Sequence, residues 1–327
     1  MRKVRTTIVL LGVAAALIFW SFNGLILERR GRSYWAPIDE NTFWLARAVR
    51  LGLHRPPPAD RPGAMRWRTV APGFEVAELP VLVGREEIDR IFLARIDPAH
   101  FRFELENDTA NRTNLEQWMG RTGAVLVVNA SYFARDATPA TPVVMAGHPS
   151  GPVDYSAAHG AFVSSPERTE VSDLAQQDWR AVLSGARTAL VSYPLLIAPD
   201  GQTRTAADAG WIANRSFIGQ DQSGLIVIGT TKGGFFSLPR LADFLKRSPL
   251  DLRIALNLDG GPVASQGIAI GRFRRMSYGH WEVQVDARGR AGILPGGLPI
   301  LNMSHETMPL VLAVYPRDDA TVQTTPN

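Results

Sequence analysis

Asp259 closes a short apolar run, Ala255-Leu-Asn-Leu-Asp-Gly-Gly261, in which aliphatic residues give way to an acid and two glycines. Such a run reads as a buried strand, and Gly260 and Gly261 as a place where the backbone turns tightly or a ligand comes close. A carboxylate on the end of a rigid strand can be aimed into a cleft and used to move a proton. The same spacing also suits an Asp that bonds its own turn. A second apolar run, residues 124–128, ends in Asn129 and is followed by Ala130, Ser131, Tyr132 and Phe133. The amide of Asn129 can serve a ligand or the turn that leaves the strand.

Other side chains could complete a site. Arg215, in Asn214-Arg-Ser216, is the best clamp for a phosphate or carboxylate, because its planar fork makes two parallel bonds to either. Taken alone it reads better as a surface arginine at a strand start. Thr230 and Thr231 bring hydroxyls to another strand end, where β-propensity also explains them. For a second carboxylate the candidates are Glu104, Glu106, Asp108, Asp136 and Asp221; Asp136 is preferred because it follows Phe133 by three residues. His148 and His159 sit in glycine-bounded loops, where functional groups and satisfied loop histidines are both found.

What is missing narrows the chemistry. There is no HExxH, no GxSxG elbow, no phosphate-binding GxxxxGK[ST] loop and no EF-hand series. The six histidines are scattered and there is no cysteine, which argues against a zinc enzyme and excludes disulfides and thiolate catalysis. No metal ligand set or cofactor is identified, although a divalent cation held by Asp259 and a second acid is compatible with the composition.

In order along the chain, Asn129-Ala-Ser-Tyr-Phe133, Ser192-Tyr-Pro-Leu-Leu-Ile197, Asn214-Arg-Ser216, Leu238-Pro-Arg-Leu-Ala-Asp-Phe-Leu245 and Leu258-Asp-Gly-Gly261 resemble the motifs of the phosphodiester glycosidase family. These are relatives of the enzyme that uncovers mannose 6-phosphate by removing N-acetylglucosamine, and the resemblance extends over residues 90–315. It implies an α+β domain with a mixed sheet and a carbohydrate or sugar-phosphate substrate. It further implies Asp259 as general acid/base or water-orienting group, Arg215 as the group that neutralises the phosphate, and Asn129 as the residue that positions the sugar. Tyr132 would stack on a sugar face, and Gly260, Gly261, Thr230 and His159 would line the substrate. The sequence departs from the family where Ala130-Ser-Tyr132 replaces glycines and where Pro262-Val-Ala-Ser265 follows the late motif. Pro262 removes a backbone donor where an anion could bind. These departures sustain an alternative reading: a non-catalytic glycan-binding or polysaccharide-assembly protein on the same fold.

Several elements must position these residues. Helices are expected over 114–121 and near Pro239, with Ser237 as the cap of the second, and each precedes one of the two motif strands. Short alternating runs from residue 74 onward predict a strand-rich domain, and residues 281–286 read as one more exposed strand. The irregular alternation of strands and helices excludes a TIM barrel or a doubly wound sheet.

Upstream, residues 6–27 carry no charge and are long enough to span a bilayer core of ~30 Å, with basic residues on both sides. No small-x-small cleavage site follows, so an uncleaved signal anchor in a bacterial-type inner membrane is expected, with the domain on the periplasmic or extracellular side. Residues 1–68 carry 12 Lys/Arg against 4 Asp/Glu, and the rest of the chain 23 against 27. The basicity therefore belongs to the membrane-proximal arm, which removes the electrostatic support for a nucleic-acid partner. The expected divisions are an anchor (1–32), a juxtamembrane helix and Pro-rich linker (33–72), the phosphodiester-glycosidase-like domain (73–317) and a polar tail (318–327).

Overall fold

The computed structural model describes residues 56–156, 159–280 and 306–317, with short stretches at 25–29, 32–36, 48, 51–54, 282–285 and 291–293. Strands dominate, and the helices α1 (Leu115–Thr122), α2 (Trp179–Leu183) and α3 (Leu238–Arg247) are short. Every strand pairing among the described residues is antiparallel. The expected mixed sheet is thus replaced by antiparallel ones, in a mostly β fold with few helices. Tight hairpins suffice to join antiparallel neighbours, whereas parallel pairs need crossovers of about a dozen residues or more. The helices back the sheets instead of making such crossovers.

The largest sheet runs in the order Leu195–Ile197, Leu252–Asn257, Ser216–Asp221, Ile226–Thr231, Glu86–Ile96, Phe74–Val83 and Asp60–Pro62, with Arg68–Ala71 also paired to Phe74–Val83. A second orders Phe273–Ser277, Gln266–Ile270, Leu126–Asn129, Leu310–Pro316 and Phe101–Asn107, and a third centres on Thr188–Ser192 and Gly160–Ser164. All three feed one apolar core, through Ile218, Ile228 and Leu256, through Phe103, Leu126 and Leu312, and through Phe162 and Leu190 respectively. Successive side chains of a strand point to opposite faces. Phe217 and Val227 therefore leave that core and pack with Leu241, Phe244 and Leu245 of α3. This two-sided burial explains why the motif strands read as unbroken apolar runs. Each fully buried Phe or Leu contributes about 1.5–3 kcal/mol of transfer free energy.

α1 is fixed by an Asn114–Gln117 capping box and by Trp118, whose indole donates to the Met308 carbonyl at 2.8 Å. α3 forms as expected, yet Ser237 at its N-cap makes no side-chain capping bond.

The Pro-rich stretch does not behave as a linker throughout. Asp60–Pro62 pairs with Val81–Val83 at the sheet edge, where a proline costs no ladder bond, and Arg68–Ala71 joins the same strand. Ala48 is buried in the α3 core, and Arg240 Nη1 donates to the Gly52 carbonyl at 2.9 Å. The folded unit therefore takes in residues upstream of 73. Residues 6–24 and the tail from 318 lie outside the described residues; Leu25–Arg29, at the end of the apolar run, is a strand paired with Arg32–Ala36. Among the described residues no helix is long and apolar enough to cross a membrane.

Candidate active site

Strands Leu126–Asn129, Ser216–Asp221, Ile226–Thr231 and Leu252–Asn257 bring the sequence motifs together at their ends. Asn129 is the junction. Its Nδ2 donates to the Asp259 carbonyl (2.7 Å), while its Oδ1 accepts from Ser216 Oγ (2.7 Å) and the Ser265 amide (3.2 Å). The amide is consumed in holding the site together, so Asn129 underlies the site instead of facing a ligand. Asn214 does similar work: Nδ2 donates to the Thr231 and Gly233 carbonyls, and its own carbonyl accepts the Gly261 amide at 2.9 Å. Thr230 is fully buried against Ser216 Oγ, at 3.3 Å, and Thr231 Oγ1 accepts the Arg215 amide at 2.8 Å. Both threonines support the site from below.

Above this foundation lies a cavity of about 700 Å³ lined by Asp259, Arg215, Glu282, Tyr132, Tyr193, His159, Trp211, Ser237 and neighbours. Asp259 is reached from the cavity but crowded by protein, and burial, with the nearby Glu282 charge adding to it, raises its pKa to about 7. The Gly260 amide, donating to Oδ1 at 2.8 Å, and Arg215 act in the opposite direction. Arg215 is only 6% exposed; Nε donates to the Phe236 carbonyl (3.3 Å) and Nη2 to the Trp211 carbonyl (2.8 Å). Burial lowers its pKa, opposed by Tyr132, Glu282 and Asp259. These bonds anchor the guanidinium to backbone and leave Nη1 for the cavity.

Glu282 completes the charged cluster. Trp211 Nε1 donates to its Oε1 at 3.0 Å, and burial raises its pKa against the pull of Arg215 and this bond. Gly261, at φ +72, lies where an added Cβ would sit 2.8 Å from Glu282 Oε2, and a Cβ on Gly260 would stand 3.2 Å from Arg215 Nη1. Both glycines thus admit charged groups, which is a more specific role than a tight turn. The opposite wall is aromatic: Tyr132 stacks on Tyr193 with centroids 4.4 Å apart, and His159 lies 4.8 Å from Tyr193. The Tyr132 hydroxyl donates to the Tyr193 carbonyl and accepts from Asn257 Nδ2, both at 2.8 Å, so the ring, not the hydroxyl, is offered.

Residues 122–277 match the sequence model of the phosphodiester glycosidase family, a span that takes in Asn129, Arg215 and Asp259. Residues 122–277 belong to the phosphodiester glycosidase family. The catalytic domain of zebrafish N-acetylglucosamine-1-phosphodiester alpha-N-acetylglucosaminidase, auto-inhibited by its pro-peptide, superposes with a TM-score of 0.54 and 14% identity, over 83% of this chain and 93% of that one. A hypothetical protein from Synechocystis gives a TM-score of 0.48 at 14% identity, over 78% and 64%. No curated protein matches the chain. At 14% identity the zebrafish likeness shows a shared fold, and the phosphodiester glycosidase match supplies the family.

Of the residues singled out in the sequence, Asp259, Arg215, Tyr132 and His159 line one cavity, with Gly260 and Gly261 beside the charges. Asp136 does not join them. It is exposed on the turn after Phe133, where its Oδ1 accepts from the Thr138 hydroxyl (2.7 Å) and amide (3.2 Å). Those bonds hold its pKa below the usual range. Proximity in sequence misled because the chain turns away there, with the Ala134 amide bonded to the Thr138 carbonyl. Asp108 and Asp221 likewise bond their own turns. Glu104 and Glu106 pair across to the strand Leu310–Pro316, away from the cavity, and His148 is exposed on a hairpin.

Glu282, Tyr193, Trp211 and Ser237 line the cavity without having been assigned to it. Glu282 belongs to the strand Glu282–Val285, which is paired on both sides, to Trp211–Ala213 and Ala291–Ile293. Only this pairing reveals that a carboxylate in an ordinary alternating strand faces Asp259. Among the described residues no cluster of three or more His, Asp or Glu could hold a metal ion.

Proposed function

We propose that this chain is a membrane-anchored envelope hydrolase that cleaves a sugar phosphodiester, or a related glycan linkage, and releases the free sugar. The observation that carries this reading is the pairing of a carboxyl titrating near neutrality, Asp259, with a buried guanidinium, Arg215, in one cavity of a phosphodiester glycosidase domain. Water adds at the anomeric carbon and the bond from that carbon to the phosphate oxygen breaks. Glu282, whose ionised form Arg215 and the Trp211 indole favour against burial, takes the proton from water. Asp259 gives its proton to the departing oxygen, whose conjugate acid in a phosphate monoester has a pKa of about 6, well matched to a donor at about 7. Arg215 offsets the charge that the leaving group gathers. The rings of Tyr132 and Tyr193 offer an apolar face to the sugar.

The test is hydrolysis of a panel of sugar-1-phosphodiesters by the full chain, with Asp259→Asn beside it. Free sugar released by the parent and not by the variant supports the hydrolase. Sugar bound on the aromatic wall without turnover would favour the non-catalytic glycan-binding reading instead. The anchor rests on the uncharged run of residues 6–27, of which residues 6–24 alone would reach about 28 Å as a helix. Extraction of the chain from bacterial membranes by alkaline carbonate would overturn it.

A further inference from the structure

The wall of the cavity that carries Ser237 holds polar capacity that the protein itself leaves unused. Ser237 is 2% exposed, and its Oγ has no hydrogen-bond partner. It occupies the N-cap of α3, a ten-residue helix, yet its hydroxyl does not cap the first turn. No acidic residue sits in that turn either, so the positive end of the helix is uncompensated from within the helix. Burying an unpartnered hydroxyl costs free energy, and a serine at this position ordinarily spends its oxygen on the N–H of the third helical residue. Ser237, Leu238 and Pro239 instead line the cavity that contains Arg215 and Asp259. The Phe236 carbonyl, one residue earlier, accepts both Arg215 Nε (3.3 Å) and the Ala213 amide (3.1 Å). The guanidinium and the start of α3 are therefore fastened to the same backbone group.

We infer that Ser237 and the N-terminus of α3 form, with Arg215, the subsite for the phosphate group of the substrate. This rests on the proposed phosphodiester chemistry and gives it a direction: phosphate toward Ser237, sugar toward Tyr132 and Tyr193. The hydroxyl donates to one phosphate oxygen, Arg215 Nη1 donates to another, and the unfilled helix end favours the negative charge. Pro239 contributes no N–H, and the Ser237 hydroxyl adds a donor to a first turn that has lost one. A neutral sugar hydroxyl would also satisfy Ser237, but it would gain nothing from Arg215 or the helix dipole.

The probe is inorganic phosphate, titrated into the full chain by calorimetry, with glucose as the neutral comparison. Ser237→Ala removes one donor to a charged group and should weaken phosphate about tenfold or more. Ser237→Asp places a carboxylate where the phosphate would sit and should abolish binding while capping the helix. Neither variant breaks a bond seen in the fold. Ser237→Ala buries no charge and should melt near the parent temperature. Thermal melts decide whether Ser237→Asp, which places a carboxylate at a 2% exposed position, is folded enough to be read. Phosphate affinity unchanged in both folded variants would overturn the subsite, as would a loss confined to glucose. The outcome is separable from the hydrolase reading. Phosphate binding that falls in the variants of a protein that cleaves no phosphodiester retains the subsite and sinks the hydrolase. Unchanged phosphate binding and kcat/KM in variants of an active enzyme sink the subsite alone.

Discussion

Asn129 Nδ2 donates to the backbone carbonyl of Asp259 at 2.7 Å, joining the ends of two motif strands that belong to different sheets. The Asp259 amide returns a bond to the Ala130 carbonyl at 3.0 Å, so the two chain segments are tied in both directions. The carboxyl of Asp259 is aimed by this junction, not by its own strand alone.

Asn129→Ala should therefore act first on stability. It removes one donor and an acceptor used twice, in a place water does not reach, and should cost about 2–4 kcal/mol. Chemical denaturation of parent and variant measures it. A variant of parental stability with only KM raised would instead mark Asn129 as a sugar contact.

The late Leu-Asp-Gly-Gly motif was legible in the sequence because its acid and glycines interrupt an apolar run abruptly, whereas the Asn-Arg-Ser segment was legible only through its place in the ordered family motifs. In the folded chain the three members of the triplet do different work. Asn214 knits the turns, Arg215 faces the cavity and Ser216 holds Asn129. Glu282 was not legible, since its role arises from the pairing of Glu282–Val285 with Trp211–Ala213, which no local pattern encodes. Tyr193 was hidden in the same way, as its ring meets that of Tyr132 between two connecting segments distant in sequence. The antiparallel topology escaped because an apolar strand buried on both faces looks the same whichever way its neighbour runs.

Activity should depend on pH in a bell shape. The alkaline limb is expected near 7, where Asp259 loses its proton, and the acid limb above the ordinary glutamate value, because burial raises Glu282. The two groups repel one another when charged, so both limbs belong to the pair. Glu282→Gln should lower kcat about a hundredfold or more. It should also move the alkaline limb to lower pH, since the charge that raises Asp259 is gone. An alkaline limb that stays in place in Glu282→Gln would separate the two carboxyls.

Stability should move oppositely to the common acid-denaturation pattern in part of the range. Asp259 and Asp89 both titrate at about 7 in the fold, chiefly through burial. Unfolded aspartate titrates near 3.9, so the native state holds more protons between about 4 and 7 and loses stability as pH rises through that window. Asp259→Asn abolishes its share of this loss. Thermal melts at pH 5.5 and pH 8 should show the variant gaining on the parent at pH 8. Equal shifts for both proteins would mean that Asp259 is ionised throughout.

The glycines of the late motif make a graded prediction. Gly261→Ala carries two penalties: a left-handed φ of +72 and a Cβ 2.8 Å from Glu282 Oε2. Gly271→Ala, at φ +54 with nothing within 4 Å, carries the backbone strain alone. Both should lose about 1–2 kcal/mol of stability, but only Gly261→Ala displaces a carboxylate and should lose activity as well. Gly260→Ala has ordinary extended backbone, at φ −122, and its Cβ meets Arg215 Nη1 at 3.2 Å. The same Cβ would stand 3.1 Å from the Asn214 carbonyl, which accepts the Gly261 amide, so Gly260→Ala should lose phosphate affinity together with some stability. Denaturation curves beside phosphate titrations for the three variants check the order. Equal activity in Gly261→Ala and Gly271→Ala would remove Glu282 from the chemistry.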